Sequence, residues 1–516
     1  MNARTLLAVP ITRCDLPVGA QVRAALAAGA DLIELRVDCL DDIGQVAKLL
    51  EQPHEVPFIL TIRSAAEGGG WDGDESERVA LFESLGLKLP GYVDVEYSAW
   101  ARSANLRQKL GLVSSPGADG GRPRNRLILS YHDWRATPDD LDTVVRPLLD
   151  SPADVAKVVF TAHSATDAWR VLGLLRRRGG SRPLIAMAMG AAGLLTRVLA
   201  PKFGGFLTFA ALDAESAVAP GQPTLAELLE VYRWRAIGPD TPVYGVVGWP
   251  VGQSKGPRVH NAALAAADMA GVYLPMPVPP DYAGFAEFMT LLTAQPELGV
   301  QGLSVTMPHK EHALRWLEQE AQTVSAGARR VGAVNTLIRT GAASWSGGNT
   351  DTVGLLAALR TVPGVLDDPG RRPQVVVLGA GGVARAAVAA LCDAGCRVTV
   401  FNRTEARAAE LAQAFGCAAR PWAERGGADV RVVVNCTSVG MWPNVDETPL
   451  PADALRPGLV VLDTVYHPAE TRLAREAAAR GARAVSGVEM FLSQAAAQFA
   501  LWHGRKAPLD AMRAAL

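Results

Sequence analysis

One group of ionisable side chains alternates with apolar residues in short segments of the N-terminal half. In LIELRVD, Glu34, Arg36 and Asp38 are separated by apolar residues. Every second side chain of a β-strand faces the same way, so these three polar side chains are predicted to share one face. The same alternation predicts further inward-facing polar side chains, namely Thr61 with Arg63, Asp94 with Glu96, Ser130 with His132, and Lys157.

Lys157 lies within the apolar segment DVAKVVF. Burial drives a lysine towards its neutral amine, which is the form that attacks a ketone to give a Schiff base. His132 is the natural proton carrier for such chemistry, and Glu96 is the candidate to fix its tautomer. These groups can instead be buried ion pairs without a catalytic role. Each unpaired buried charge is costly. The large number of ionisable groups predicted inside the barrel therefore favours a site for an anionic ligand.

A second candidate pair lies in the C-terminal half. SVTMPHK places Thr306 and Lys310 at a strand end and an early helical turn, GAVNTL contributes Asn335, and GGNTD contributes Asp351. A lysine and an aspartate can form the acid-base pair that is needed when hydride adds to a ketone and the oxygen takes a proton. The alternative is a surface ion pair with helix capping by Asn349, Thr350 or Asp351.

The segment QVVVLGAGGVARA joins an apolar run to a glycine cluster and then a helical pattern. Its spacing fits the dinucleotide-binding fingerprint, in which amides at a helix start face a pyrophosphate. The residues assigned to this loop are Gly379, Ala380, Gly381, Gly382 and Val383, with Ala384 packing the helix. An NAD enzyme normally has an acid after the second strand, but here Asn402, Arg403 and Thr404 follow, with Arg407 nearby. A guanidinium and a hydroxyl suit a 2′-phosphate, so NADP is the predicted cofactor; the alternative is an exposed loop arginine without a ligand.

A parallel barrel is the fold that positions the first group. Helical patterns at 20–28, 76–85 and 165–178 separate short apolar runs. The runs LLAVPI, LIELRVD, FILTIR, YVDVEY, LILSYHD, VAKVVFTA, PLIAMAMG and FLTFAAL predict an eight-stranded (β/α)₈ TIM barrel, with its site at the carboxyl ends of the strands. Residues 114–126 interrupt the pattern and predict a flexible loop.

A second α/β region follows a short linker at 237–242, which contains Gly238, Pro239 and Pro242. The predicted domains are the barrel at 1–236, a substrate-binding domain at 243–353, and a doubly wound Rossmann domain at 354–487. In that last domain the strands VVVLG, VTVFN, VVVN and LVVLD alternate with helices.

The composition favours small metabolites as partners. The 516 residues include 51 Lys and Arg against 52 Asp and Glu, which argues against a general basic surface for nucleic acid or membrane. The six cysteines are scattered, so we expect reduced, mostly buried thiols and no metal site. No stretch has the character of a membrane span, and residues 1–13 lack the ordered regions of a signal peptide. We therefore expect a cytoplasmic protein without a nucleic-acid, membrane or obligate protein partner.

The N-terminal motifs resemble type I 3-dehydroquinate dehydratase over nearly all of residues 1–235. The motifs, in order, are ELRVD, TIRS followed by EGGG, DVE, SYHD, the strand lysine, GLLTR and APGQ. The resemblance implies that Lys157 holds the substrate ketone as an imine and that His132 moves protons for the loss of water. It also implies that Glu34, Arg36, Arg63, Arg197 and Gln222 bind the hydroxyls and carboxylate. The family usually has a serine at the position of Val218, so we expect a raised Michaelis constant unless Ser216 compensates.

The C-terminal motifs resemble shikimate dehydrogenase across residues 243–516. They are QSKGP, SVTMPHK, GAVNTL, NTD, GAGGVARA, NRT, NCTSVGM, VYHP and EMFLSQAAAQ. The resemblance implies Lys310 and Asp351 as the catalytic pair, and a return of residues 488–516 to the substrate-binding domain. It implies Ser254, Thr306, Asn335, Tyr466 and Gln494 near the substrate and Thr437 near the cofactor. Family members usually carry SKSP, whereas Gly256 here removes a hydroxyl and opens space beside the substrate carboxylate.

The two resemblances together predict a fused lyase and oxidoreductase of the shikimate pathway. It would dehydrate 3-dehydroquinate to 3-dehydroshikimate and reduce that ketone to shikimate with NADPH. One alternative is a dehydratase fused to a quinate or quinate/shikimate dehydrogenase for quinate catabolism, which depends mainly on Gly256. A second alternative, a ligand sensor that has lost its chemistry, is disfavoured because Lys157, His132, Lys310 and Asp351 are all present.

Overall fold

The computed structural model describes residues 4–89, 91–114, 125–178, 182–366 and 373–516. The chain forms two compact units, Met1–Pro242 with Ala270–Val278, and Val243–Met269 with Pro279–Leu516. Among the helices of the described ranges, none combines the length and apolar character that crossing a membrane requires. The predicted α/β fold class is confirmed.

The first unit contains an eight-stranded parallel sheet in the order β7-β6-β5-β4-β3-β2-β1-β8. Its strands are β1 Leu6–Ile11, β2 Leu32–Arg36, β3 Phe58–Thr61, β4 Gly91–Glu96, β5 Asn125–His132, β6 Val155–Thr161, β7 Leu184–Met189 and β8 Leu207–Phe209. The amide of Phe206, just before β8, donates to Leu184 O of β7 at 2.9 Å. This bond brings the two outer strands together, so the sheet curls into a nearly closed barrel.

Helices follow the strands as the alternating pattern predicts. They are α1 Val18–Ala27, α2 Ile43–Leu50, α3 Glu75–Gly86, α4 Tyr97–Arg102, α5 Ala104–Ser114, α6 Leu141–Leu149, α7 Ala165–Arg178 and α8 Leu194–Val198, with a further π-helical turn at Glu227–Val231. Asp42, Asp74 and Asp140 cap α2, α3 and α6, because each carboxylate accepts a backbone N–H of the first turn. Most of the predicted loop at 114–126 lies outside the described residues.

The barrel interior changes from apolar to polar along the strands. Its apolar cluster includes Leu32, Ile59, Tyr92, Ile128 and Val155. The side chain two residues further along each strand also faces inward. Those next positions are Glu34, Thr61, Asp94, Ser130 and Lys157. The barrel interior therefore has an apolar layer, followed by a polar layer at the carboxyl ends of the strands. This arrangement supports the prediction that these polar side chains face inward.

Two of the predicted strands end earlier than the sequence suggests. Strand β2 ends at Arg36, and Asp38 lies in the helical turn Val37–Cys39. Asp38 accepts two hydrogen bonds from Arg36, at 3.0 and 2.6 Å. The alternation of inward and outward side chains along β2 therefore stops at Arg36, and Asp38 does not belong to the inward face of the strand. Likewise β3 ends at Thr61, and Arg63 follows it.

Residues 243–516 carry two six-stranded sheets. The first has the order β10-β9-β11-β13-β14-β12 and consists of β9 Val243–Gly248, β10 Val272–Pro277, β11 Val300–Val305, β12 Thr323–Val324, β13 Thr336–Arg339 and β14 Trp345–Gly348. β10 is assigned to this sheet by its hydrogen bonds. Its helices are α9 Gly256–Ala266, α10 Tyr282–Ala294, α11 Lys310–Gln319, α12 Ala326–Val331 and α13 Asp351–Arg360. The sequence pattern did not predict the short strands β12 to β14.

The second sheet has the order β17-β16-β15-β18-β19-β20, and all its pairs are parallel. Its strands are β15 Gln374–Leu378, β16 Arg397–Phe401, β17 Ala418–Ala419, β18 Val432–Asn435, β19 Val460–Asp463 and β20 Arg483–Val485. The helices are α14 Gly382–Asp393, α15 Glu405–Phe415, α16 Arg472–Ala479, α17 Gly487–His503 and α18 Leu509–Ala514. The order is that of a doubly wound sheet, which binds ligands where the strand order reverses, here between β15 and β18.

The last two helices pack against the first helix of this unit. Val259 and Leu264 of α9 form one buried cluster with Phe499 of α17 and Met512 of α18. Chain segments far apart in sequence therefore build one layer beside the first of the two sheets.

Leu411 of α15 tests the core of the second sheet. Leu411 is 1% exposed and packs with Val400 and Ala408. We expect Leu411→Ala to lower the free energy of unfolding by about 2–5 kcal/mol, because it leaves a cavity. The exposed neighbour Gln413 is the control, and Gln413→Ala should change stability by less than about 0.5 kcal/mol. Urea unfolding curves measure both values, and equal effects would contradict this packing.

Candidate active sites

The barrel has an open cavity of about 550 Å³ at the carboxyl ends of its strands. Its polar lining includes Glu34, Arg36, Thr61, Arg63, Glu67, His132, Lys157, Arg197 and Gln222. Its apolar lining includes Trp134, Val159, Met187, Met189, Phe209 and Val218. The structure thus brings the predicted barrel site residues to one cavity, with the exception of Glu96.

Lys157 points its amine at a carboxylate. Its Nζ lies 2.6 Å from Asp94 Oδ2, 4.0 Å from Glu34 Oε1 and 4.7 Å from the centre of the Phe209 ring. Burial alone would raise the pKa of Asp94, but the charges of Arg63 and Lys157 hold it well below its usual range. Asp94 is therefore ionised and fixes the amine, so Lys157 is not alone in apolar surroundings as the sequence suggested.

His132 is oriented by Glu67 and not by Glu96. His132 Nδ1 lies 3.2 Å from Glu67 Oε2. Burial, with the charges of Arg63 and Lys157, holds the pKa of His132 well below its ordinary value, so the neutral ring can accept a proton.

The carboxylate of Glu96 is engaged elsewhere, so the predicted role in fixing the tautomer of His132 is wrong. Arg78 of α3 donates to Glu96 Oε2 at 2.7 Å, and the amide of Ser64 donates to Oε1 at 2.8 Å. Glu67 was missed because it ends the short helical turn Ala65–Glu67 after β3, where strand alternation says nothing about direction. Its one signal was the position ahead of the glycines in EGGG.

Arg197 is a buried cation that pairs with no carboxylate of the described ranges. It is 3% exposed; Nη1 lies 3.4 Å from Phe209 O and 3.8 Å from Met187 Sδ, and Nε has no partner among the described residues. Burial lowers its pKa to about 10. Nε2 of Gln222 is likewise buried without a described partner. Two unpartnered donors on one cavity are the arrangement that an anionic group of a ligand would satisfy.

The remaining polar residues of the barrel site are held by hydrogen bonds to neighbouring residues. Arg63 donates to Asp94 at 2.6 Å and to Ser130 at 2.7 Å. Thr61 donates to Glu34 at 2.9 Å. The amide of Val218 donates to Gln222 at 3.0 Å.

Ser216 does not replace the serine that is absent at position 218. Its hydroxyl donates to Asp213 at 2.7 Å, and Asp213 caps the short helical turn Ala214–Ser216 by accepting from the amide of Ser216. That hydroxyl is engaged away from the cavity, whose lining includes Val218 instead.

The second site contains a buried lysine-aspartate pair. Lys310 Nζ lies 2.6 Å from Asp351 Oδ2, and Asn335 Nδ2 donates to Asp351 Oδ1 at 2.8 Å. Lys310 begins α11 and Asp351 begins α13, and they are 8% and 0% exposed. The surface ion pair considered from the sequence is therefore wrong, and the pair is placed for proton transfer.

Further predicted substrate residues lie at one edge of the first sheet of this unit. β9 and β11 are parallel neighbours, so Ser254, in the loop after β9, and Thr306, directly after β11, lie at their common carboxyl end. Asn335 precedes the antiparallel strand β13 and lies at the same edge. Gly256 begins α9, and its amide donates to Ser254 Oγ at 3.2 Å.

Two more predicted residues lie at helix α17, namely Gln494 on the helix and Tyr466 stacked against it. A side-chain carbon added to Gly354 of α13 would lie 3.1 Å from Gln494 Cβ, so the helices touch there. Tyr466 stacks on Phe491 of α17 with ring centres 4.7 Å apart. Gln498, one turn beyond Gln494, donates to Asn335 O at 3.1 Å.

The glycine loop after β15 has the shape that a dinucleotide needs. Gly379 has φ 110°, a left-handed conformation that favours glycine. A Cβ there would lie 3.0 Å from Cys436 O and 3.3 Å from Thr437 N, and a Cβ on Gly382 would lie 3.2 Å from Lys310 Cδ. Loop, β18 end and Lys310 meet where the strand order reverses. The fit supports a pyrophosphate over Ala380, Gly381 and Val383 at the start of α14.

The end of β16 carries the predicted phosphate-binding residues. Arg403, Thr404 and Arg407 are exposed, and Asn402 Nδ2 donates to Thr404 O at 2.9 Å. In the part of the chain that the structure describes, neither arginine forms an ion pair. Both cations are therefore available to a 2′-phosphate. Within the same ranges, no three His, Cys, Asp or Glu side chains are placed to hold a metal ion.

Family models match both units. Residues 7–239 match type I 3-dehydroquinase. Residues 246–337 match the shikimate dehydrogenase substrate binding domain, residues 368–427 match shikimate / quinate 5-dehydrogenase, and residues 487–516 match the shikimate 5'-dehydrogenase C-terminal domain.

Similar proteins include a solved structure. The NADP(+) shikimate dehydrogenase of Moorella thermoacetica is 42% identical over 283 residues, covering 53% of this chain and 91% of that protein. The structure of shikimate 5-dehydrogenase from Thermus thermophilus with NADP(H) and shikimate is 34% identical and covers 54% of this chain and 100% of that one, with a TM-score of 0.48.

One relative spans both units. The chloroplastic bifunctional 3-dehydroquinate dehydratase/shikimate dehydrogenase of Arabidopsis thaliana is 38% identical over 501 residues, covering 93% of this chain and 79% of that protein. The two sites described above lie on one chain in the same order as the two names. The chain therefore belongs to the family of bifunctional 3-dehydroquinate dehydratase/shikimate dehydrogenases.

Proposed function

We propose that the barrel dehydrates 3-dehydroquinate to 3-dehydroshikimate and that the second unit reduces this ketone to shikimate with NADPH. One observation carries the proposal: a lysine beside an anion-binding cavity and a buried lysine-aspartate pair beside a dinucleotide loop occur on one chain. The first site suits imine chemistry on a keto acid, and the second suits ketone reduction. The product of the first reaction is the substrate of the second.

In the barrel, Lys157 is the nucleophile. After its ammonium has lost a proton to water, the amine attacks the ketone carbon, and loss of one water gives an imine that draws electrons from the neighbouring carbon. His132 takes the proton from that carbon through Nε2, because Glu67 holds Nδ1. The hydroxyl on the next carbon leaves with a proton returned by His132, and hydrolysis of the imine restores Lys157. One molecule of water is lost overall. Arg197 and Gln222 bind the carboxylate, and Glu34, Arg36 and Arg63 bind hydroxyls.

In the second unit, NADPH supplies the hydride. Lys310 and Asp351 hold a proton across 2.6 Å and deliver it to the ketone oxygen, while Asn335 fixes the carboxylate. Ser254, Thr306, Tyr466 and Gln494 bind the substrate. Arg403, Thr404 and Arg407 select the 2′-phosphate, with Thr437 beside the glycine loop. This assignment accounts for the similarities without the quinate alternative, and Gly256 then concerns only the range of substrates that the site accepts.

We propose domain limits of 1–236 for the barrel, 243–353 with 488–516 for substrate binding, and 354–487 for the cofactor. The packing of α17 and α18 on α9 supports the returning segment. We propose the cytoplasm as the location and small molecules as the only partners. All six cysteines are free thiols, which supports a reducing compartment.

Trapping of the imine tests the first reaction. Borohydride with 3-dehydroquinate should add the mass of the reduced substrate to the wild type and none to Lys157→Ala, whose dehydratase activity should be lost. Lys202→Ala is the matched control, because Nζ of Lys202 donates to Pro239 O at 2.8 Å and Lys202 is not among the residues that line the cavity, so the change should leave trapping intact. Label on Lys157→Ala, or an unlabelled wild type, would refute the mechanism.

Replacement of Arg197 should have opposite effects on binding and stability. Arg197→Met removes a charge-assisted bond to the substrate, which costs about 1.5–3 kcal/mol and raises the Michaelis constant by roughly 10- to 150-fold. It also removes an unpaired buried charge, so the ligand-free protein should unfold at a higher temperature. Steady-state kinetics and thermal unfolding measure the two effects. A lower unfolding temperature together with an unchanged Michaelis constant would show a purely structural arginine.

Asp351→Asn should separate the two reactions. With 3-dehydroquinate and NADPH supplied, the variant should accumulate 3-dehydroshikimate, because ketone reduction loses about 10²- to 10⁴-fold without the proton partner. Dehydratase turnover should stay at the wild-type value. Asp393→Asn, at an exposed carboxylate of α14, is the control and should form shikimate normally. Undiminished NADPH oxidation by Asp351→Asn would remove Asp351 from the proposed pair.

A further inference from the structure

Asp463 is a buried acid of the second unit that the proposed chemistry does not use. It ends β19 and is 2% exposed. Three groups donate to it: Asn435 Nδ2 to Oδ1 at 2.9 Å, the amide of Val465 to Oδ1 at 3.1 Å, and the hydroxyl of Thr471 to Oδ2 at 2.7 Å. A carboxylate can accept all three bonds, since it has two oxygens and no proton of its own.

The first of these bonds leads to the cofactor loop. Asn435 Oδ1 accepts from the amide of Thr437 at 3.0 Å and from its hydroxyl at 2.7 Å. With Nδ2 held by Asp463, Asn435 has one fixed orientation, and so has Thr437. Cys436 and Thr437 are the residues against which Gly379 packs. Asp463 therefore fixes Cys436 and Thr437, which follow β18 and pack against the glycine loop. We call these two residues the Cys436–Thr437 wall.

The second bond leads to the substrate side. Val465 precedes Tyr466, whose ring stacks on Phe491 of α17. Thr471, the third donor, caps α16 by accepting from Ala474 N at 3.2 Å. One oxygen of Asp463 thus holds both the segment beside the cofactor loop and the segment that carries a substrate-binding candidate.

Asp463 and Asp351 both act on the thiol of Cys436, which lies beside the glycine loop. Burial raises the pKa of the Cys436 thiol, and the charges of Asp463 and Asp351 raise it further. Burial also raises the pKa of Asp463, and the bonds from Thr471, Val465 and Asn435 offset this only in part. Keeping an acid in such a place is costly unless its bonds fix something that function needs.

We propose that Asp463 is a positioning residue that holds the Cys436–Thr437 wall of the cofactor site and the Val465–Tyr466 segment of the substrate site in one register. This role rests on the proposed reduction by NADPH. Asp463 is buried and accepts bonds from Asn435 and Val465, so its effect passes through these two residues. Loss of the acid should then weaken cofactor and substrate binding together, which loss of an ordinary core contact would not do.

Four variants separate positioning from stability. Asp463→Ala removes all three bonds, Asp463→Asn keeps an acceptor for Asn435 and Val465, and Thr471→Val removes only the third donor. Leu411→Ala is the control, since it weakens the same core away from these contacts. Calorimetric titration with NADP reports binding without catalysis. The Michaelis constant for 3-dehydroshikimate reports the substrate side, and dehydratase turnover reports the concentration of intact chain.

Asp463→Ala should weaken NADP binding by at least about tenfold and raise the Michaelis constant for 3-dehydroshikimate by a similar factor. Asp463→Asn should restore both values to within about threefold of the wild type, whereas Thr471→Val should weaken both by about two- to threefold, because it removes one of the three bonds. Leu411→Ala should lose stability and keep both constants. If Asp463→Ala does not fold, the proposal stands on a small loss in both constants for Thr471→Val, and it fails if these are unchanged.

Two results would overturn the role of Asp463. One is Asp463→Ala with wild-type constants, and the other is Asp463→Asn as weak as Asp463→Ala, which would show a need for the charge itself. A failure of the proposed function would look different. In that case the wild type itself would not bind NADP or would not reduce 3-dehydroshikimate.

Discussion

The barrel site depends on the carboxylate of Asp94. It lies where the interior changes from apolar to polar, and it accepts bonds from Lys157, Arg63 and Ser130. A lone lysine at this depth would carry a large desolvation cost, and a lone carboxylate would as well. Their pairing makes both tolerable and sets where the amine points. Arg197, which has no such partner, remains the cation that a substrate can neutralise.

The second unit also buries a lysine and a carboxylate as a pair. Lys310 and Asp351 are also a buried pair at 2.6 Å, but each begins a helix, and an amide side chain holds the carboxylate. The amine lies beside the glycine loop instead of beside an anion-binding cavity. In the proposed mechanisms, the same two residue types therefore serve as a nucleophile in one setting and as a proton donor in the other. What differs is the neighbouring ligand and not the pair.

The sequence predicted those features that follow from a regular repeat. Alternation along β2 and β6 gave the inward faces of Glu34 and Lys157, since these strands continue past both residues. It failed for Asp38, because the strand has already ended there and Arg36 captures the carboxylate.

The roles of Glu67 and Glu96 depend on contacts that periodicity does not contain. Glu96 has the correct parity, yet Arg78 reaches it from α3, the helix that precedes its strand. Glu67 lies in a helical turn of three residues, Ala65–Glu67, which is too short for a repeat to indicate that it faces His132. The strands from β12 to β14 were missed for a related reason, because segments of two to four residues carry too short a pattern.

The packing of α17 and α18 on α9 has a consequence for synthesis of the chain. The strands of the barrel all precede residue 210, so the barrel can fold while the rest is still being made. The apolar face of α9, by contrast, receives its cover only after the whole nucleotide-binding sheet has emerged. During translation a chain can thus acquire a complete dehydratase site while Val259 and Leu264 still lack their final partners, and the reductase half is the part more exposed to misassembly.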